Sequence, residues 1–403
     1  MQTIGAVTRR SGPIWATSGT PDPAALLRDL SLHFAQLGIT RLARQTGLDR
    51  LGIPVYAAIR PNSRTIATHH GKGLDEISAQ ISAVMEAVEY AIAEAPETPQ
   101  LQLSLATARS MGLEVMDFTS LLPVGAQVDE QRPVRWVEGV ELGTGMTVLV
   151  PYDAVVLGTD PVDFPGIAQS TNGIAAGADM ARALLHALCE IVERDAVCLW
   201  GFKSDKAALT TGVEPSAFDD ADIEALDFRI AEAGFRLRLY DQTSNTGVPV
   251  VYAVIAPTGG AETHFELATG ACCHPVAAVA ARRAIVEAAQ TRITNIAGAR
   301  DDIVEAEYDQ KLGRSIAVLA EAPPAPRPAP SGLPAGASTD ELIAALRAGL
   351  ARAGLSRVVA VPMGGAGYGI EAVRVFVPGL EDRLTNRNWR PGKRAAAAML
   401  GFL

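Results

Sequence analysis

Aromatic residues make up only 5% of the 403 residues, cysteine occurs four times, and no apolar run reaches the roughly 18–20 residues that cross a bilayer. Each scarcity excludes a class of protein. Cys189, Cys198, Cys272 and Cys273 form neither a CxxC pair nor a secreted disulfide framework, and the Cys272-Cys273-His274 run offers too little for a zinc site. Packing thiols are expected, with a reactive thiol as the alternative. The start, MQTIGAVTRRSG, lacks the apolar core of a signal peptide, so a cytoplasmic protein is expected. Lys and Arg number 35 against 45 Asp and Glu, a net charge of −10, and no basic stripe stands ready for a nucleic-acid backbone. The GKG at 71–73 lacks the glycine spacing and the following Ser/Thr of a Walker A loop. With no GxSxG elbow and no Cys/His nucleophile pair, hydrolysis by a covalent triad has no support.

What the chain does have is a 48% apolar composition, enough for a substantial core, and three acidic helices. In ISAVMEAVEYAIAE, ALLHALCEIVERDAVCLW and AIVEAAQTRITNIAG, apolar stripes are interrupted by Glu86 and Glu89, Glu190 and Glu193, and Glu287 and Gln290. Residues three apart share a helix face, so each pair reaches toward one point, and Ser82 lies one turn before the first pair. Unpaired carboxylates in apolar stripes are costly to bury, which calls for a cation. Oxygen ligands without His or Cys suit Mg²⁺. A di-iron bundle would need a Glu-x-x-His on two helices, and none of these has one; His186, four before Glu190, reads as a packing or surface group. Arg283, Arg194 and Arg292 accompany the acids, as a polyphosphate would require. Any one pair reads better as a structural ion pair along its helix, but three together reverse that and favour a cation–polyphosphate site. Lys72 is either a phosphate contact or a turn lysine.

The surrounding pattern predicts a helix over 22–37, strands at ITRLARQTG and IPVYAAIRP, a glycine-bounded connection at HHGKGLDE, and the first acidic helix over 75–95. Strands follow at WVEGVEL and MTVLVPYDAVVL, and QSTNGIAAGAD leads into the second acidic helix. FRLRLYDQT, VPVVYAVIA and FELATGACC read as strands before the third acidic helix at 276–297. Six prolines in 321–337 predict an extended loop; a helix at 339–353, strands at RVVAVPM and VRVFVPG, and a terminal AAAAML helix complete the chain. No equal-length repeat is visible, and an α+β architecture fits better than a doubly wound sheet.

The segments GKGLDEISAQISAVMEAVEY, QSTNGIAAGADMARALLHALCEIVERDA and AARRAIVEAAQTRITNIAGARDD closely resemble the three signature regions of the YcaO superfamily. IRPNSR at 59–64, YDQTSNTGVPV at 240–250 and VPGLE at 377–381 agree in order, and the resemblance covers most of 35–381. It implies the YcaO fold, α+β with mixed and antiparallel sheets and helices lining a central ATP site. Residues 1–60 would form its N-terminal part, 61–320 the catalytic core, 321–338 a proline-rich loop and 339–403 the C-terminal part. ATP and Mg²⁺ are the implied cofactors. The resemblance assigns Glu86, Glu89, Glu190, Glu193 and Glu287 to metal, and Lys72, Ser82, Asn172, Arg194, Arg283, Gln290 and Arg292 to ATP. Glu193, Arg194 and Arg283 are the implied catalytic groups. The chain departs from the common pattern at Tyr90, Ala178 and Arg182.

The activity so implied is phosphorylation of a peptide-amide oxygen, followed by attack of a nucleophile. Sulfide gives a thioamide; a neighbouring Cys, Ser or Thr side chain gives an azoline. TGLDRLGIPVYAAIRPNSR is similar to the subgroup paired with TfuA proteins. That favours the thioamide, with a TfuA-like protein, a sulfur donor, a peptide or protein substrate and a second copy of the chain as expected partners. Azoline formation is the rival, and a non-catalytic ATP-binding scaffold the third reading.

Overall fold

The computed structural model describes residues 22–300, 303, 308, 310–323 and 327–403. What is expected of 1–21, and of the proline-rich loop at 324–326, lies outside these residues. The first helix spans Pro23–Ser31, with Asp22 capping its N-terminus; it stops short of 37 because the chain passes into turns that end at Gly38, φ +74°. Strands β1 (Arg41–Arg44), β2 (Val55–Ile59) and β3 (Thr68–Lys72) make an antiparallel sheet. The segment HHGKGLDE was expected as a connection; its first half is β3. Histidine and glycine are poor strand signals, and pairing of all five β3 residues with β2 overrides them.

The first acidic helix (Glu76–Glu94) leads to β4 (Gln100–Ser104), β5 (Glu114–Val115), β6 (Pro133–Glu141), β7 (Thr147–Pro151) and β8 (Ile174–Gly177). After the second acidic helix (Met180–Trp200) come β9 (Gly212–Val213), β10 (Phe235–Asp241), β11 (Val250–Pro257) and β12 (Ala268–Cys273). The third acidic helix (Ala277–Ala297), a helix at Thr339–Arg352, β13 (Val359–Gly364), β14 (Glu371–Phe376) and a helix at Lys393–Met399 follow. A four-stranded antiparallel sheet runs β12-β11-β10-β9. A seven-stranded mixed sheet runs β5-β7-β6-β13-β14-β8, with β4 also on β6 and a parallel pair only at β5 and β7. The architecture is α+β, as expected. Among the described residues no helix is long and apolar enough to cross a membrane.

Each acidic helix follows a strand at the free edge of a different sheet: β3, β8 and β12. Glycine lets each helix lie against its strand. A Cβ on Gly71 would stand 2.0 Å from the Ala83 nitrogen, one on Gly177 2.5 Å from the Ala183 nitrogen, and one on Gly270 2.4 Å from the Ala284 oxygen. Each helix also packs on the next edge strand: the first on β8, the second on β12, the third back on β3. Three strand–helix units thus close into a ring, with the acidic faces at its centre.

Gly270→Ala is therefore expected to destabilise the protein by about 1–3 kcal/mol, because backbone rather than a flexible side chain must yield. Gly367→Ala, where nothing lies within 4 Å, serves as control and should change little. Urea unfolding of the two variants measures the difference; equal stabilities would refute the close-packing argument.

Candidate active site

The three acidic helices carry their polar groups in one register. Ser82, Glu86 and Glu89, then His186, Glu190 and Glu193, then Arg283, Glu287 and Gln290, each occupy positions i, i+4 and i+7. Asp75 and Asp179 cap the first two helices through the backbone N–H groups of Ser78 and Arg182. Arg182, a departure from the family pattern, is also ion-paired to Asp179. In the third, the Val276 N–H donates to His274 Nδ1 at 3.0 Å; burial lowers the pKa of this imidazole to about 4, which keeps it a neutral acceptor.

The neighbouring unit then holds one acid of each helix. Ala176 N–H of β8 donates to Glu89 Oε2 at 3.1 Å, Cys273 N–H of β12 to Glu193 Oε2 at 3.2 Å, and Lys72 Nζ of β3 to Glu287 Oε2 at 3.1 Å. Gly173 N–H, just before β8, donates to Glu190 Oε2 at 3.2 Å. Arg194 bridges Glu190 at 3.5 Å and Glu193 at 3.6 Å. The Glu190, Glu193 and Glu287 side chains retain 20%, 10% and 29% of their surface exposed, so the ring encloses a solvent-reached groove rather than a sealed core.

Burial and crowding shift carboxyls of the groove toward their protonated forms. Burial pushes Glu86 up to about 7, opposed by Lys72 and Arg300 and reinforced by Glu287 and Glu190. Burial pushes Glu193 up to about 8, with Arg194 opposing and Glu287 and Glu190 adding. Glu89 rises well above the ordinary carboxylate range through burial, then Glu190 and Glu86; Glu190 rises through burial against the pull of Arg194. Among the polar atoms buried with no hydrogen-bond partner are three from the expected site residues: Asn172 Oδ1, Gln290 Oε1 and Arg194 Nε. Orphaned donors and acceptors among crowded carboxylates fit a ligand that brings both cations and polar groups. Among the described residues no three acid, His or Cys side chains already form a one-ion cage. Mg²⁺ does not need one, since it is commonly held by one or two carboxylates together with phosphates and water.

The groove therefore gathers Glu86, Glu89, Glu190, Glu193, Glu287, Lys72 and Arg194, with Ser82, Gln290 and Arg283 on the same helix faces. Arg283 and His186 are exposed one turn outward. Arg292 is not there. Two residues past Gln290 it turns to another face, where it pairs with Asp49 at 3.3 Å and lies 4.4 Å over Phe235. The cysteines are all buried and free, as packing thiols would be; burial pushes Cys198 up to about 11 and Cys272 and Cys273 well up. Sequence reasoning missed Arg374 and Asp382, whose charges act on Glu190 and Arg194 respectively, and Arg300, which acts on Glu86. Their segments carry no spacing signal.

A family model described as YcaO cyclodehydratase, ATP- and Mg²⁺-binding, matches residues 70–381. The chain belongs to the YcaO family. ATP and Mg²⁺ are thus the ligands of the family whose signature helices line this groove. An uncharacterised Rhizobium leguminosarum bv. trifolii protein from the tfuA 3′ region is 36% identical, over 94% of this chain and 92% of its own length. An uncharacterised Methanothermobacter thermautotrophicus protein is 32% identical over 72% of this chain and 75% of its own. Among solved structures, the YcaO from Methanopyrus kandleri bound with AMPPCP and Mg²⁺ matches at TM-score 0.69 and 26% identity, over 90% of this chain and 92% of that one. A heterocyclase in complex with substrate and cofactor matches at TM-score 0.76 and 19% identity over 95% of this chain, which spans 55% of the heterocyclase; at that identity the likeness is one of fold.

A carboxyl whose folded pKa is raised binds more protons folded than unfolded between the two values, so stability falls as pH rises through that window. For Glu193 the window runs from 4.5 to about 8. The metal-free protein is expected to lose thermal stability from about pH 5 to about pH 8.5, with a shallower slope in Glu193→Gln. Mg²⁺ with nucleotide should restore most at the high end. Tm against pH for both proteins checks this, and parallel curves would contradict it.

Proposed function

We propose that this YcaO protein uses ATP and Mg²⁺ to phosphorylate a peptide-amide oxygen and, with a TfuA-like partner and a sulfide donor, exchanges that oxygen for sulfur. The carrying observation is the relative from the tfuA 3′ region, alike over nearly the whole length of both chains. Glu86, Glu89, Glu190, Glu193 and Glu287 would hold Mg²⁺, and Lys72, Ser82, Asn172, Arg194, Arg283 and Gln290 the nucleotide. Mg²⁺ supplies charge that offsets the phosphates, and ATP supplies the phosphoryl group. Lys72 and Arg194, now paired with Glu287, Glu190 and Glu193, are free to turn to phosphate oxygens once metal neutralises those acids. Balanced over the reaction, amide, ATP and hydrosulfide become thioamide, ADP and phosphate. The original oxygen leaves with the phosphate.

The thiols bear on the sulfur source. All four cysteines are buried, and burial pushes the Cys198, Cys272 and Cys273 thiols up, which suits packing better than sulfur carriage. This supports a sulfur donor brought by another component. A homodimer and a cytoplasmic location belong to the same reading. The family description as cyclodehydratase favours azoline formation as the second reading.

With ATP, Mg²⁺, a TfuA-like protein and sulfide, the peptide substrate is expected to gain about 16 Da, the oxygen-to-sulfur difference, by mass spectrometry. A loss of about 18 Da, one water, would mean cyclodehydration and defeat the thioamide. Glu193→Gln should lower ATP turnover by about tenfold or more, as loss of a metal-site group does. Unchanged turnover in the variant would remove Glu193 from the site, whereas no ATP turnover in the unaltered protein with substrate and partner would favour a non-catalytic scaffold.

A further inference from the structure

Arg374, on β14, is a buried cation that none of these assignments uses. It is 3% exposed, and burial brings its pKa down to about 10, so it stays charged at neutral pH under the influence of Glu190 and Asp382. Its Nη1 donates to the Ser170 carbonyl, its Nε has no hydrogen-bond partner, and the guanidinium lies 5.0 Å over the Phe376 ring. A buried cation so sparsely compensated costs stability, which asks for a reason to keep it.

That reason lies in the turn from Ser170 to Gly173. Ser170 Oγ accepts from the Asn172 N–H at 3.1 Å and shares a hydrogen bond of 3.1 Å with Thr385 Oγ1. At the far end Gly173, φ +79°, sits where a Cβ would stand 2.4 Å from the Val375 carbonyl oxygen, and its N–H grips Glu190 Oε2. Gly173 O in turn accepts from Val375 N–H at 2.7 Å, the residue after Arg374. Both ends of the turn are therefore tied to one stretch of β14, the first by the guanidinium and the second by backbone. Between them is Asn172, whose Oδ1 is buried and unpartnered.

We propose that Arg374 is a positioning residue for nucleotide binding: by holding the Ser170 carbonyl it sets the turn that presents Asn172 to the groove and Gly173 N–H to Glu190. It touches neither ATP nor peptide. The proposal rests on the groove being the nucleotide site and on Asn172 meeting the nucleotide.

The test is a double-mutant cycle in the full chain, read as the Kd for AMPPCP at saturating Mg²⁺. Arg374→Met and Asn172→Ala are each expected to weaken binding by about tenfold, the size of a hydrogen bond to a charged group. Combined, they should weaken it little beyond the worse single change, because both remove the same presentation of Asn172. Arg374→Lys, which keeps the charge and a donor, should recover part of the affinity. If Arg374→Met does not fold, Arg374→Lys takes its place in the cycle with the same non-additivity expected. Losses that multiply would overturn the positioning role, as would full affinity in Arg374→Met. Glu193→Gln separates the two layers: unaltered AMPPCP binding there overturns the nucleotide site and Arg374's role with it, whereas weakened binding with multiplying losses overturns Arg374 alone.

Discussion

Carboxylates brought together repel one another and resist losing water, and this protein brings five into a single groove. Burial raises four of them above their ordinary range, and two, Glu86 and Glu193, reach about 7 and 8. Everything around the groove can be understood as what is needed to hold that charge without metal. The edge strands β3, β8 and β12 would elsewhere be liabilities for stray pairing. Here the Ala176 and Cys273 N–H groups and the Lys72 ammonium, drawn from the three edges, point at Glu89, Glu193 and Glu287. Glycines 71, 177 and 270 bring the helices close enough for those contacts.

Two cations of the chain itself, Lys72 and Arg194, pair with acids of the groove. Lys72 pairs with Glu287, and Arg194 with Glu190 and Glu193, so under the proposed assignment binding would be an exchange of partners: metal to the glutamates, lysine and arginine to the phosphates. Such an exchange would leave no buried charge without a partner. Under the proposed reading the glutamates would answer to metal, while Asn172 Oδ1, Gln290 Oε1 and Arg194 Nε, buried with unmet hydrogen-bonding capacity, would answer to the polar ligand.

Much of this was legible in the sequence, for local reasons. Pairs at i and i+3 in apolar stripes mark Glu86 and Glu89, Glu190 and Glu193, and Glu287 and Gln290, because helix periodicity alone decides which face they share. The α+β class and most strands followed from alternation and turn residues. The ring did not. Its three strand–helix units have unequal spacings, Gly71 to Glu86, Gly177 to Glu190 and Gly270 to Glu287, and belong to three separate sheets, so no repeat registers along the chain. β3 was hidden because His69, His70 and Gly71 carry no strand signal until β2 pairs with them. Arg292 looked like a phosphate group by nearness to Gln290, but the helix turns it toward Asp49 and Phe235. Arg374 was invisible, one arginine in the strand VRVFVPG, since its meaning lies in the Ser170 carbonyl some two hundred residues away in sequence.

If the groove's carboxyls hold protons that metal and nucleotide displace, proton release on binding measures it directly. Calorimetric titration of the protein with AMPPCP and Mg²⁺ at pH 7, repeated in buffers of different ionisation enthalpy, gives the number of protons exchanged. A net release of at least about one proton is expected, lost by groups such as Glu193 and Glu86 as metal takes their place, and less in Glu193→Gln. No proton exchange, or net uptake, would contradict it.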